Sequence, residues 1–388
     1  MLECITIDTI VNQHTYTLNA SFSRKTVVVG LSGGVDSAVS ALLLKQQGFT
    51  VHGLFMKNWE EDDTQQYCAA KQDLADVKAV CQRLQIPYHT INFSQEYWEN
   101  VFSYFLDEHK QGRTPNPDIL CNKEIKFKVF LDHAIKLGAD YIATGHYVQK
   151  HFRNNTYYLH KGRDTNKDQS YFLYTLTQEA LNKSLFPIGE LEKSTVRQFA
   201  KDAGLINHDK KDSTGICFVG ERKFKTFLQD FLANQQGLIK TPEEEIVGEH
   251  DGLMFYTLGQ RHGLNIGGLR GKLEKPWYVV GKNINTRVLY VSQDTTHPWH
   301  FADTLLANQM HWINPISATS FSCFAKVRYR QMDQPCQINV INDDQVSITF
   351  LQPQRAITPG QSVVLYTDNT CLGGGTIQST NSAGGILC

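Results

Sequence analysis

The sequence predicts an α/β fold, a doubly wound parallel sheet followed by one or two small β modules. Three observations carry this. Residues 25–30 (KTVVVG) are a β-branched run ending in a glycine-rich turn and leading into a helix-forming stretch, the pattern of a buried parallel strand that feeds a helix. Strand-like and helix-like segments then alternate to about residue 150, the rhythm of a doubly wound sheet. From about residue 247 the texture changes to short β-rich runs separated by Gly, Asn, Asp and Pro, as in small β modules.

The elements follow in order. Residues 37–47 (SAVSALLLKQQ) read as a helix stopped by Gly48,. Residues 50–56 read as a second strand. Helical spacing returns over 73–84, with Leu74, Val77, Val80, Cys81 and Leu84 on one face,. Residues 88–92 predict a strand, 125–137 a helix and 139–144 a strand. Asn154-Asn155 between aromatic-rich flanks predicts a hairpin over 151–162, and 170–235 is helical in pattern. In the last part, residues 277–280, 288–291, 324–328, 346–350 and 362–366 predict strands,.

Composition excludes several classes. A chain of 388 residues suits two or three domains,. Hydrophobic residues make up 41% and charged residues 20%, as in soluble globular proteins,. No apolar run approaches eighteen residues, so no membrane span or membrane partner is expected. Residues 1–25 lack a basic start and a continuous apolar centre and carry Glu3 and Asp8, unlike a signal peptide. The expected location is the cytoplasm. The nine cysteines contain no CxxC pair, which argues against a secreted disulfide framework and a structural zinc site. No protein-held metal centre is expected. The net charge of −1 is no whole-chain signature of nucleic-acid binding. Residues 121–230, however, hold eighteen Lys and Arg against thirteen Asp and Glu, which permits an anionic partner there.

The most informative motif is Gly30-Leu31-Ser32-Gly33-Gly34-Val35-Asp36-Ser37. It follows the first strand and opens the first helix, so backbone N–H groups and the helix N-terminus face an anion. Ser32 and Ser37 add hydroxyls, and Asp36 is placed to help hold a metal bound to phosphates. No Lys follows the second glycine and the G-x-G-x-x-G spacing is absent, so this is neither a Walker A loop nor a dinucleotide fingerprint. SGGVDS resembles the pyrophosphate loop of the N-type ATP pyrophosphatases. That resemblance implies cleavage of ATP between the α- and β-phosphates and transfer of AMP to a substrate oxygen, which a nucleophile then displaces.

Two cysteine segments point further. Thr114-Pro115-Asn116-Pro117-Asp118-Ile119-Leu120-Cys121-Asn122 reads as a loop stiffened by two prolines, with a helix starting near Ile125. A cysteine near a helix start and beside Lys123 and Lys126 has a lowered pKa, and Asp118 is placed to move protons. The other reading is a packed turn with an inert thiol. In the second segment, residues 212–222, Cys217 lies between glycine-bearing turns and before Arg222 and Lys223. Its other reading is a buried thiol among apolar neighbours.

GLSGGVDS, TPNPDILCN, ATGHY and STGICFVGER, in this order and spacing, closely resemble the tRNA-specific 2-thiouridylases. The resemblance also takes in residues 259–264 (GQRHGL) and 326–330 (KVRYR), and so spans nearly the whole chain from about residue 25. It implies an adenine nucleotide α-hydrolase-like α/β domain, a small central domain and a C-terminal β-barrel. We place these at 26–225, 226–300 and 301–388, after an extension over 1–25. It implies an enzyme that uses ATP, with Mg2+, to thiolate C2 of the wobble uridine in the tRNAs for Lys, Glu and Gln.

The same resemblance assigns residues. Cys217 would hold persulfide sulfur from a donor protein, either a cysteine desulfurase or a sulfur-relay protein. ATP would lie on Gly30, Leu31, Ser32, Gly33, Gly34, Val35, Asp36 and Ser37, with Met56 and Gly145 touching the nucleotide. Cys121 would either release sulfide from the persulfide or form a disulfide with Cys217. Asn116, Pro117 and Asp118 would contact the flipped-out base. His146, Lys167, Asp168, Gln169, Tyr329, Arg330 and Gln361 match tRNA-contacting positions, and Arg328 and Arg330 are placed to bind the tRNA backbone. Two other readings stand beside this one. An amidating ATP pyrophosphatase would need an ammonia source, and no glutaminase segment is evident. A catalytically inert RNA-binding protein would have no use for an intact SGGVDS loop.

Overall fold

The computed structural model describes residues 25–59, 69–212, 224–267 and 275–387. The α/β part begins with β1 (Thr26–Gly30), α1 (Val35–Gln46), β2 (Thr50–Lys57), α2 (Ala69–Leu84) and β3 (Tyr88–Asn92). Helix α3 covers residues 94–110 and α4 covers 117–136, followed by β4 (Tyr141–Ala143). Then come the hairpin β5 (Val148–Arg153) and β6 (Thr156–Lys161), α5 (Gln178–Lys183), β7 (Ser184–Leu185) and α6 (Lys193–Asp202). Five strands form one parallel sheet in the order β3-β2-β1-β4-β7.

The period-two alternation of β1 explains why the sheet is covered on both faces. Val27 and Val29 pack into a cluster with Val39 of α1, Val77 of α2 and Val196 of α6. Val28 faces the other way, into a cluster with Phe102 of α3 and Ile125 and Phe130 of α4. The chain runs from β1 outward through β2 to β3, then returns to β4 on the opposite side of β1. The strand order therefore reverses at β1, and a crevice opens beyond the carboxyl ends of β1 and β4.

Helix α4 departs from the sequence expectation of a loop over 114–122 and a helix start near 125. It begins at Pro117, because Asn116 is its cap: Oδ1 accepts hydrogen bonds from the N–H groups of Asp118 (3.2 Å) and Ile119 (3.4 Å). Proline at the first helical position gives up an N–H that has no intrahelical partner anyway. From Cys121 to Val129 the helix takes wide i→i+5 turns, a distortion that recurs at functional sites. The stretch 170–235 also differs from the expected run of helix. Its described residues are broken into α5, β7, α6 and α7 (Phe224–Gln229).

The later strands form two further sheets. β8 (Gly237–Lys240), β9 (Ile246–His250), β10 (Tyr278–Asn283) and β11 (Val288–Ser292) make the central one. β12 (Phe301–Trp312), β13 (Ser320–Lys326), β14 (Gln334–Asn342), β15 (Gln345–Arg355), β16 (Ser362–Thr367) and β17 (Thr370–Thr380) follow in order β12-β15-β14-β13-β16-β17. Pairing of β12 with β17 closes these six into a barrel. Two exchanges tie the parts together. The hairpin β5–β6 pairs through β6 with β17 of the barrel. The last strand, β18 (Gly385–Leu387), leaves the barrel and pairs with β10 of the central sheet. Among the described residues, no helix is long and apolar enough to cross a membrane.

Candidate active site

The glycine-rich turn lies at the crevice, between β1 and α1. Gly33 has φ +77°, and a Cβ there would stand 2.9 Å from the Asp73 carbonyl oxygen, so both conformation and space require glycine,. Gly34 caps α1 without a side-chain bond, which leaves the first N–H groups of the helix to an external acceptor. Ser37 Oγ accepts from the Ser32 N–H at 3.3 Å and donates to the Gly34 carbonyl at 3.2 Å, holding the turn closed. Gly145 lies directly against this backbone: a Cβ there would be 2.7 Å from both Asp36 C and Ser37 N. Met56 is buried at the end of β2, with its methyl 3.4 Å from the place a Gly30 Cβ would occupy.

One face of the turn is fixed by residues the sequence reading did not single out. Asn207 Nδ2 donates to the Gly33 carbonyl at 3.0 Å, and Lys210 Nζ reaches the same oxygen at 3.4 Å. Lys210 is itself held by Asp73 (2.8 Å) and Asp76 (2.5 Å). In a trans peptide the C=O and the next N–H point in opposite directions. Tying back the Gly33 carbonyl therefore turns the Gly34 N–H toward the other face, where an anion would sit.

In the first turn of α1, Asp36 anchors a chain of charges. Its Oδ1 accepts from the Tyr147 hydroxyl at 2.7 Å, and Lys193 Nζ bridges both its oxygens at 2.8 Å. Lys193 also pairs with Asp212 at 2.7 Å, and Asp212 pairs with Lys167 at 2.6 Å and Arg197 at 3.4 Å. Burial works against the Asp212 charge, but Lys167 and Lys193 outweigh it and hold its pKa down to about 2. Burial, reinforced by Asp36, pushes the Tyr147 hydroxyl well up, so it stays a donor.

Cys121 is fully buried, packed in the cluster that contains Met56, Ile119 and Ile125. The earlier start of α4 places it a turn inside the helix. The helix dipole acts over the first turn, so it is Asp118, not the cysteine, that lies at the positive end. Lys123, expected beside the thiol, pairs with Glu124 at 3.5 Å. The next residue, Asn122, donates to the Phe172 carbonyl at 3.2 Å, while its buried Oδ1 has no partner. Asn58, just past β2, is 2% exposed and neither atom of its carboxamide is bonded. Asn58 and Asn122 are neighbours in the chain of Met56 and Cys121, which share one buried cluster. Cys217, with the rest of 213–223, lies outside the described residues.

The expected tRNA contacts divide by exposure. Lys167 is half-buried and tied to Asp212. Asp168 turns inward, its carboxylate accepting from Gly162 N–H (3.0 Å), Ser170 N–H (3.1 Å) and Ser170 hydroxyl (3.0 Å). Gln169 Oε1 accepts from the Tyr147 N–H at 3.0 Å. Asp168 and Gln169 thus hold the turn that presents Lys167. His146 is buried with Nδ1 2.8 Å from Thr144 Oγ1, and burial, aided by Lys126, drives its pKa well below the ordinary value. It therefore brings no positive charge to a nucleic acid. Arg328 is exposed, and one end of its guanidinium is fixed within the chain: Nη2 donates to the carbonyls of Leu258 (2.9 Å) and Ala356 (3.0 Å) and to Thr358 Oγ1 (3.0 Å). Arg330 is exposed and stands 5.6 Å over the Tyr329 ring, which packs on Phe172 at 4.4 Å. Gln361 donates to the carbonyls of Thr114 (2.8 Å) and Pro115 (3.3 Å), just ahead of Asn116.

A doubly wound sheet with a glycine-rich turn at its switch point, extended by two β modules, is the arrangement of a HUP domain with appended modules. Family models agree along the chain: a tRNA methyl transferase HUP domain over residues 25–221, a tRNA methyl transferase PRC-barrel domain over 225–293 and an aminomethyltransferase β-barrel domain over 302–377. The tRNA-specific 2-thiouridylase MnmA of Legionella pneumophila is 56% identical over 353 residues, covering 91% of this chain and 98% of that protein. Those of Colwellia psychrerythraea and Salmonella arizonae are 59% and 58% identical, each covering at least 91% of this chain and 96% of the relative. The chain belongs to the tRNA-specific 2-thiouridylase family, a family of sulfurtransferases.

Proposed function

We propose that this chain replaces the C2 oxygen of the wobble uridine of tRNA (Lys, Glu, Gln) with sulfur, at the expense of ATP. The observation that carries the reading is the bare turn of residues 30–37 at the switch point, on the same sheet as the core that holds Cys121. ATP would place its phosphates against the Gly34 N–H and the start of α1, with Met56 and Gly145 alongside the nucleotide. Mg2+ characteristically takes one or two carboxylates plus phosphate oxygens, and Asp36 supplies a carboxylate at the turn. Held there, the ion would neutralise charge on the departing pyrophosphate.

The steps balance as follows. The uridine C2 oxygen attacks the α-phosphorus, the α–β bridge breaks and pyrophosphate leaves. The outer sulfur of a Cys217 persulfide then attacks C2 and AMP departs with the oxygen. The Cys121 thiolate attacks the Cys217 Sγ, forming a Cys121–Cys217 disulfide and leaving sulfur on the base. In the other route Cys121 attacks first and releases sulfide, which itself displaces AMP. Both consume two thiol electrons, so a reductant must restore the thiols each turnover. Asn116, Pro117 and Asp118 would meet the extruded base, with Asp118 moving protons. Lys167 and Arg330 would bring positive charge to the tRNA. A cysteine desulfurase or a relay protein would supply the sulfur, in the cytoplasm.

The test is nucleoside mass spectrometry of tRNA incubated with ATP, Mg2+ and a desulfurase carrying labelled sulfur. The wild-type chain should yield 2-thiouridine. Cys217→Ser should carry no label, and Cys121→Ser should carry label on protein but not on tRNA. Thiolation by Cys217→Ser, or by Cys121→Ser at the wild-type rate, would sink the two-cysteine mechanism.

A further inference from the structure

The turn of residues 30–37 has no lysine of its own, yet it must hold a polyphosphate. We propose that Lys193, the first residue of α6, is the phosphate-binding cation of this site. It would wait on Asp36 and transfer its ammonium to the polyphosphate when ATP binds. The inference rests on the nucleotide reading above and adds a residue to it.

Two lysines approach the turn, and their positions separate their roles. Lys210 reaches the Gly33 carbonyl at 3.4 Å. It therefore lies on the side away from the Gly34 N–H, where it shapes the turn. Lys193 instead bridges both carboxylate oxygens of Asp36 at 2.8 Å, in the first turn of α1. Asp36 thus holds the ammonium beside the helix end whose first N–H groups have no side-chain cap. The Lys193 ammonium is already drawn from bulk water, the side chain being 11% exposed, and lies 5.8 Å over the Tyr147 ring.

Moving Lys193 leaves Asp212 with other cations and Asp36 with a hydrogen bond. Asp212 keeps Lys167 at 2.6 Å and Arg197 at 3.4 Å. Asp36 keeps the Tyr147 hydroxyl at 2.7 Å. Without the lysine, ATP would meet the unmasked Asp36 carboxylate, and like charges at this range repel. With it, the resting site is neutralised and the same cation serves the incoming anion. A lysine suits the task because its ammonium is a compact charge on a flexible stem.

The experiment measures binding of ATP and adenosine by calorimetry, in EDTA so that no metal bridges Asp36. Lys193→Ala should weaken ATP at least tenfold and leave adenosine within twofold, and Lys193→Arg should recover part of the loss. The same substitution is then made in an Asp36→Asn background. If Lys193 touches phosphate, the tenfold loss persists there. If it merely masks Asp36, the loss disappears and the proposal is overturned, as it is by wild-type ATP affinity in Lys193→Ala. Equal loss of ATP and adenosine would mark a structural role and also overturn it. Failure of the wild-type chain to bind ATP would instead remove the nucleotide reading itself.

Discussion

Lys282 on β10 is 1% exposed, and its Nζ donates to the Gly112 carbonyl at 2.7 Å, where the chain leaves α3. Burial pushes its pKa down to about 7. His109, at the end of the same helix, has Nδ1 3.1 Å from the Met254 carbonyl oxygen. Burial, and then the charge of Lys282, push its pKa down to about 3. Both groups bind protons more weakly in the folded chain than in the unfolded one, so stability rises with pH across each window. For Lys282 the cost is full below about pH 7 and fades toward the ordinary lysine value, about 10.4. The shift corresponds to at most about 5 kcal/mol. In urea unfolding, the stability of the wild-type chain relative to Lys282→Met should climb from pH 7 to 10, the other titrating groups being common to both. Near pH 10.4, where that cost has nearly gone, the methionine variant should be the weaker by about 1–3 kcal/mol, because the Gly112 carbonyl loses its donor. A difference between the two chains that stays flat from pH 7 to 10 would contradict this account of Lys282.

At the scale of elements, α4 shows how one residue serves two ends. Asn116 caps the helix with its side chain and by doing so sets where Asp118 and Cys121 point. Aspartate caps as well as asparagine and suits the positive end of a helix dipole. It lacks the amide donor that a base would use. Asn116→Asp should therefore keep folding stability within about 0.5 kcal/mol while losing at least tenfold in tRNA thiolation. Asn116→Ala should lose both, with about 1 kcal/mol of stability gone with the cap. Chemical unfolding beside a single-turnover thiolation assay separates the two roles. Full activity of the aspartate variant would confine Asn116 to capping.

At the scale of the molecule, the barrel reaches into the catalytic domain. Gly360 sits against Thr114 with φ +92°, where a Cβ would be 2.9 Å from the Thr114 nitrogen. Pro359 accepts the Thr114 N–H at 3.1 Å, and Gln361 donates to the Thr114 and Pro115 carbonyls. The loop that leads to Asn116 is thus held from a part of the chain more than two hundred residues away. Gln361→Ala should lower the thiolation rate several-fold while ATP affinity stays unchanged, since the turn of residues 30–37 does not touch this contact. A drop in ATP affinity, with thiolation per bound ATP intact, would show that the loop contact does not govern the chemistry.

Much of this was legible from the chain alone. Val27, Val28 and Val29 announce a strand buried on both faces, and SGGVDS after such a strand announces a glycine turn into a helix, because only local backbone chemistry is involved. The hairpin at Asn154-Asn155 was legible for the same reason: both residues take positive φ, at 51° and 58°. Strand β17 was not, since Gly373, Gly374 and Gly375 read locally as a turn. In the fold they allow neighbouring strands to approach, with a Gly373 Cβ site only 2.1 Å from the His311 carbonyl oxygen. The start of α4 was missed because two prolines suggest a loop until the Asn116 cap is seen. What only the tertiary structure decided is the company of the site: Lys193 and Tyr147 on Asp36, Asn207 on Gly33, Gln361 on Thr114. Those partners lie between 111 and 247 positions apart in the chain. No local pattern encodes such pairs, because they come together only when the sheet, its helices and the barrel pack.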